Sequence, residues 1–107
     1  MDNLVAITIG DIDGIGIRIL LKIWKKGKNR NFILFTNINY LENLLKKNKI
    51  KININIVNKN KNELIFNEKI FNVFTYKCSS SNQNTYKSLK YAYEFCKKKI
   101  CIGVITL

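Results

Sequence analysis

Histidine and proline are both missing from this chain, and acidic residues are scarce, with 7 against 19 lysines and arginines. Without histidine no zinc-ligand pattern can be assembled from the three cysteines, Cys78, Cys96 and Cys101, which form no C-x-x-C pair. They read as reduced, structural thiols, because a Cys96–Cys101 disulfide would tie a helix end to a buried strand. No apolar run approaches the length of a membrane-spanning helix. No basic region precedes the first apolar run, so neither a signal peptide nor an anchor is expected, and the default location is the cytoplasm.

The shortage of acids leaves a formal net charge of +12. A chain this basic can attract nucleic acid, an anionic membrane or a phosphorylated substrate. Only Arg18 and Arg30 are arginines, and the lysines are dispersed among asparagines and isoleucines. Lysine, asparagine and isoleucine have A/T-rich codons and the absent proline has G/C-rich ones. A coding bias that places lysines on solvated faces is therefore the simpler account, with a nucleic-acid surface as the alternative.

What the chain does have is apolar content, 47% hydrophobic and 11% aromatic over 107 residues, enough for one globular domain. Leu4 to Ile9 reads as a strand covered on both faces. A helix is predicted from about Gly14 to Lys26, with Ile15, Ile19, Leu20, Ile23 and Trp24 as its stripe and Gly27 as its C-cap. Trp24 reads as a packing residue rather than a base-stacking one. Phe32 to Phe35 is a second strand, followed by a helix from about Asn39 to Asn48 with Leu41, Leu44 and Leu45 facing in. Ile50, Ile52, Ile54 and Ile56 alternate with polar residues as an edge strand would.

After the polar connector Asn58 to Asn62 come two short apolar pieces, Leu64 to Phe66 and Ile70 to Phe74, around a turn at Asn67-Glu68. Cys78 to Gln83 is a loop suited to cap a helix from about Asn84 to Lys99, with Tyr86, Leu89, Tyr93 and Cys96 on one side and Ala92 and Phe95 adjoining. Cys101 to Leu107 reads as a central strand. Alternating strands and helices predict an α/β domain with a largely parallel sheet.

Three of the five glycines fall between residues 10 and 16, where the first strand gives way to a helix. Gly10, Gly14 and Gly16 are spaced G-x-x-x-G-x-G, which is neither the dinucleotide fingerprint nor a phosphate-cradling loop. Two readings stand. Either Asp11 or Asp13 caps the helix while the glycines turn the chain, or the joint borders a ligand crevice beyond the carboxyl ends of the strands.

Ile7-Thr8-Ile9-Gly10-Asp11-Ile12-Asp13-Gly14-Ile15-Gly16 resembles the opening I-T-x-G-D-P-x-G-I-G-P-E of the 4-hydroxythreonine-4-phosphate dehydrogenase family of pyridoxal phosphate biosynthesis. Asn31 to Thr36 with Tyr40-Leu41-Glu42 is similar to that family's second strand and helix. Ser79 to Tyr91 resembles its S-A-x-x-G-x-x-A-L-x-Y helix, and Gly103 to Thr106 the strand leading into T-A-P-I. The likeness covers the whole chain, residues 1–107, but only the N-terminal portion of a longer family.

The resemblance implies a partial isocitrate/isopropylmalate dehydrogenase-like fold. It also implies an oxidoreductase using NAD and a divalent metal to oxidise and decarboxylate a phosphorylated substrate, as a homodimer when complete. It places Gly10, Asp11, Gly14 and Gly16 against the cofactor and Thr106 near the substrate, with no catalytic residue present. The family's metal ligands are histidines, which this chain lacks. Ile12 and Ile17 stand where the family has prolines and Arg18 where it has glutamate. The chain alone is therefore expected to be inactive. A basic module binding nucleic acid or other anionic partners, or a degenerate inactive remnant, are the alternatives.

Overall fold

A computed structural model describes residues 3–10, 15–27, 30–57 and 69–107. The element order is β1 (Val5–Thr8), α1 (Ile15–Lys25), β2 (Phe32–Phe35), α2 (Ile38–Lys47), β3 (Ile54–Ile56), β4 (Phe71–Phe74), α3 (Ser81–Lys97) and β5 (Gly103–Thr106). The strands form one sheet in the order β3-β4-β2-β1-β5, and every pairing is parallel. The α/β class with a parallel sheet is as the alternation of patterns predicts.

The sheet separates two cores. Ile7, Phe32, Leu34, Phe71 and Val73 meet Ile17, Leu20, Leu21 and Trp24 of α1 and Leu41, Leu44 and Leu45 of α2. On the opposite face Ala6, Ile33, Phe35 and Phe74 meet Ala92 and Phe95 of α3. The alternation along Phe32 to Phe35, every residue buried, is what a strand with both faces covered produces. Aromatic rings lock each side: Trp24 meets Phe71 edge-on at 5.6 Å, and Phe95 meets Phe35 edge-on at 4.9 Å.

Several predicted details differ. The buried residues of α1 are Ile17, Leu20, Leu21 and Trp24, whereas Ile15, Ile19 and Ile23 of the predicted stripe are exposed. In α3 the buried face is Asn84, Ser88, Ala92 and Phe95, and Tyr86, Leu89 and Tyr93 point outward. Each helix carries two apolar rows, and the sequence does not say which one the sheet takes. α3 also begins three residues earlier than predicted, because Ser80 accepts from the Gln83 N–H as N-cap. The isoleucine alternation is extended in register only over Ile54 to Ile56, while Ile50 and Ile52 pack partly on the α2 side. β5 is an outer strand of the sheet, not a central one. The predicted piece Leu64 to Phe66 with the turn after it lies outside the described residues.

All three helices run back against the parallel strands, so their C-terminal ends gather at the amino edge of the sheet. Lys22 and Lys25, Lys46 and Lys47, and Lys97 close α1, α2 and α3 there. Lys26, Arg30, Lys49, Lys51, Lys69, Lys98 and Lys99 lie in the connections entering the next strands at the same end. Among described residues the only acids are Glu42 and Glu94. No described helix is long and apolar enough to cross a membrane.

Candidate functional site

The sheet has β2 on one side of β1 and β5 on the other: the chain steps from β1 to β2, skips to β3 at the margin, turns back to β4 between those two and then crosses to β5. In open α/β sheets ligands sit in a crevice beyond the carboxyl ends of the strands, and β1 and β5 end side by side there. Gly10 follows β1 at this position, and Thr106 ends β5 beside it.

Thr8, fully buried, donates its hydroxyl to Thr106 Oγ1 at 2.9 Å, and the Leu107 N–H donates to the Thr8 carbonyl at 3.0 Å. Gly10 is exposed, and its carbonyl accepts from the Thr85 hydroxyl of α3 at 2.9 Å. A Cβ on Gly10 would stand 3.2 Å from the Leu107 carbonyl oxygen. One on Gly16 would stand 2.9 Å from Leu107 Cβ, closer than carbon atoms pack. Gly16 is thus needed for the first turn of α1 to approach the end of β5. The structure brings Gly10, Gly16 and Thr106 to one place, and it assigns the bare faces of both glycines to the chain's own packing. Asp11 and Gly14, with Asp13 and Ile12, lie outside the described residues.

Behind this edge is a polar network that the sequence pattern did not reveal. Asn84 Oδ1 accepts from the Asn37 N–H at 3.0 Å and from the Tyr76 hydroxyl at 2.8 Å, while its amide donates to Thr36 Oγ1 at 3.3 Å. Ser88 donates to the Phe35 carbonyl at 2.7 Å and accepts from the Ile9 N–H at 3.4 Å. The Ile38 N–H donates to Thr75 Oγ1 at 2.8 Å. These contacts pin the first half of α3 across the ends of β1, β2 and β4. The available signal was threonine at or just after the end of four apolar strands, at Thr8, Thr36, Thr75 and Thr106.

The network carries no acid or base. Asn84 and Ser88 are buried yet bonded, and no buried side-chain nitrogen or oxygen of the described residues lacks a partner. Burial pushes the Tyr76 phenol well above its ordinary range, so it serves as a neutral hydrogen-bond donor. No three His, Cys, Asp or Glu residues among those described are grouped to hold a metal ion. The cysteines are free thiols, as expected, and burial pushes that of Cys101 up to about 12. Trp24 is a core residue, with the Arg30 guanidinium 4.2 Å from its ring centre and Arg30 Nε donating to its carbonyl.

No protein-family model matches the chain, and no curated protein matches it. Among solved structures, it is similar to a Salmonella typhimurium protein named as a "putative 4-hydroxythreonine-4-phosphate dehydrogenase", with a TM-score of 0.76 and 20% identity. The similarity covers 98% of this chain and 37% of the Salmonella chain. At that identity the likeness establishes the fold, and the chain spans a little over a third of the length of the protein it matches.

Proposed function

We propose that this chain is one part of a dehydrogenase-like enzyme of the kind the Salmonella protein's name describes, and that the carboxyl edge between β1 and β5 is its share of the cleft. The observation carrying this reading is the meeting of Gly10, Gly16 and the end of β5 at the carboxyl edge, within a fold matched over 98% of the chain. The Thr106 hydroxyl accepts from Thr8 and keeps its own hydrogen for a substrate oxygen. Gly10 and Gly16 bring main chain close to the same edge.

In the intact enzyme the cofactor is NAD, which takes up a hydride when bound, and the substrate is a phosphorylated hydroxy acid that is then decarboxylated. A divalent metal does not fit the donors found here, since the described residues offer no ligand cluster and the chain has no histidine. Among the described residues no acid–base pair stands at the edge, and in our reading this chain by itself holds and orients substrate without turning it over. Titrating NAD into isotopically labelled chain tests the reading. Amide shifts of Gly10, Gly16 and Thr106 are expected, without turnover of 4-hydroxythreonine 4-phosphate. Shifts absent from these three amides overturn the cleft assignment.

A second reading is favoured by the collection of lysines at the amino edge, which suits a polyanion. Titration with a short duplex at two salt concentrations distinguishes it: binding through that edge falls steeply with salt and leaves Thr106 unshifted. A folded chain that binds neither ligand is the inactive remnant.

A further inference from the structure

The carboxyl edge makes no use of the chain's most regular pattern, the isoleucines at 50, 52, 54 and 56. After α2 the chain turns at Lys49, whose φ is 54°, and runs back along the helix as an extended segment that ends in β3. Side chains two apart in such a segment share a face, so all four isoleucines stand on the same side. Ile54 and Ile56 pair in register with Phe71 and Val73, which belong to the core that α1 and α2 cover. Between this row and α2 lies a groove of about 1130 Å³, just above the ~300–1,000 Å³ of small-molecule pockets. Ile38 and Leu45 line it from α2, and the four isoleucines line it from the extended segment. Ile38, Ile50, Ile52 and Ile54 are only partly buried by the core they pack against, and Ile56 is 50% exposed.

The two ends of the groove differ in charge. Lys46, Lys49 and Lys51 line the end where α2 gives way to the extended segment. Ile38, the first residue of α2, and Ile56, the last of β3, line the opposite end, and no other lysine or arginine among the described residues lines the groove. Carbonyls of the last helical turn, which repel an anion when free, are already engaged. The Asn48 N–H and side-chain amide donate to the Leu44 carbonyl at 3.1 and 2.8 Å, the Ile50 N–H to that of Leu45 at 2.9 Å and the Lys49 N–H to that of Lys46 at 3.2 Å. Glu42, the one acid among the described lining residues, stands a turn before Lys46 and disfavours a carboxylate placed toward the apolar end. Three cations at one end of an isoleucine floor complement a molecule with an anionic head and an apolar tail. From residue 50 to residue 56 the extended segment spans about 20 Å, the reach of a long acyl chain.

We infer that the groove between α2 and the segment 50–56 is a binding site for a long-chain fatty acid. The carboxylate sits among Lys46, Lys49 and Lys51, whose ammonium groups donate to its oxygens, and the tail lies along Ile52, Ile54 and Ile56 toward Ile38. Charge attraction at one end and removal of apolar surface from water along the rest act together. A nucleic acid drawn to the lysines leaves the isoleucine floor in water, and an uncharged apolar ligand leaves the lysines unused. The site stands at the β3 margin of the sheet, away from Gly10 and Thr106 at β1 and β5, and depends on neither functional reading above.

The test is titration of the full, isotopically labelled chain with dodecanoate below its micelle-forming concentration, followed by isoleucine methyl and backbone amide shifts. Saturable one-to-one binding is expected, with shifts at Ile38, Ile52, Ile54 and Ile56 and none at Gly10 or Thr106. Octanoate binds at least tenfold more weakly, because its shorter tail leaves part of the floor in water. Dodecyltrimethylammonium, with the opposite head charge, leaves the groove unshifted. Lys49→Gly combined with Lys51→Gln weakens dodecanoate at least tenfold while urea unfolding shows the fold retained, since glycine suits the left-handed backbone at 49. Ile56→Asp, at the exposed tail end, weakens it as much. Equal binding of the cationic amphiphile, shifts spread over the exposed Tyr86, Tyr93 and Val104, or no binding at all overturns the inference. So does an acidic peptide that shifts the same isoleucines where dodecanoate does not, which gives the groove to a polypeptide.

Discussion

Asn84 shows how one side chain can position an edge that it does not itself line. Its three hydrogen bonds join α3 to the ends of β2 and β4, and replacing it with alanine strands the buried Asn37 N–H. Asn84→Ala is expected to cost about 2–3 kcal/mol, read from the midpoint of urea unfolding, because a buried donor left unpaired bears its full desolvation cost. Cys101 acts through its proton. Its thiol ionises near 9 when exposed and near 12 when folded, so the stability it contributes is complete below about pH 9 and is lost as pH climbs toward 12. Cys101→Ala should flatten that alkaline decline in unfolding free energy, and the buried Tyr76 phenol should retain part of it. Neither role was legible from the sequence. An asparagine in a helix and a cysteine before a strand have no periodicity that announces burial, whereas the glycine-rich joint after β1 stands out by spacing alone.

Helix ends are where the elements are strained. Lys49 and Lys99 adopt left-handed backbone, with φ of 54° and 61°, where glycine is usual. Each sits in the same closing motif: the N–H of Ile50 bonds the Leu45 carbonyl and that of Ile100 bonds the Phe95 carbonyl, both at 2.9 Å. Gly27 holds the equivalent place after α1 with φ of 77°. Lys49→Gly and Lys99→Gly should therefore each stabilise the fold by about 0.5–1 kcal/mol in denaturant unfolding, since positive φ costs a side-chain-bearing residue about that much. Gly27 could be read as a cap in the sequence, but the lysine caps could not. The element types were legible because strand and helix periods differ. The facing of α1 and α3 was not, because Ile15, Ile19 and Ile23 and the outer residues of α3 make second apolar rows beside the ones the sheet buries.

At the scale of the whole molecule, a charge of +12 on 107 residues opposes compaction. The repulsion is concentrated where three helix ends meet. Raising sodium chloride from 10 to 300 mM should increase the melting temperature by a few degrees, as screening shortens the range of lysine–lysine repulsion from about 30 Å to under 8 Å. A decrease would mean that pairing rather than repulsion dominates the surface. The net charge was plain in the sequence, but its location was not: each lysine group ends its own helix, and only the parallel topology adds the groups together.

That addition gives the molecule a head and a tail. A sulfonate or phosphate surface will capture it by the lysine-bearing end, so adsorbed molecules will stand with Gly10 and Thr106 turned to the liquid. A cation-exchange bead thus becomes an oriented display of the crevice, and ligand retained on such a bead would report the carboxyl edge with the basic end already occupied.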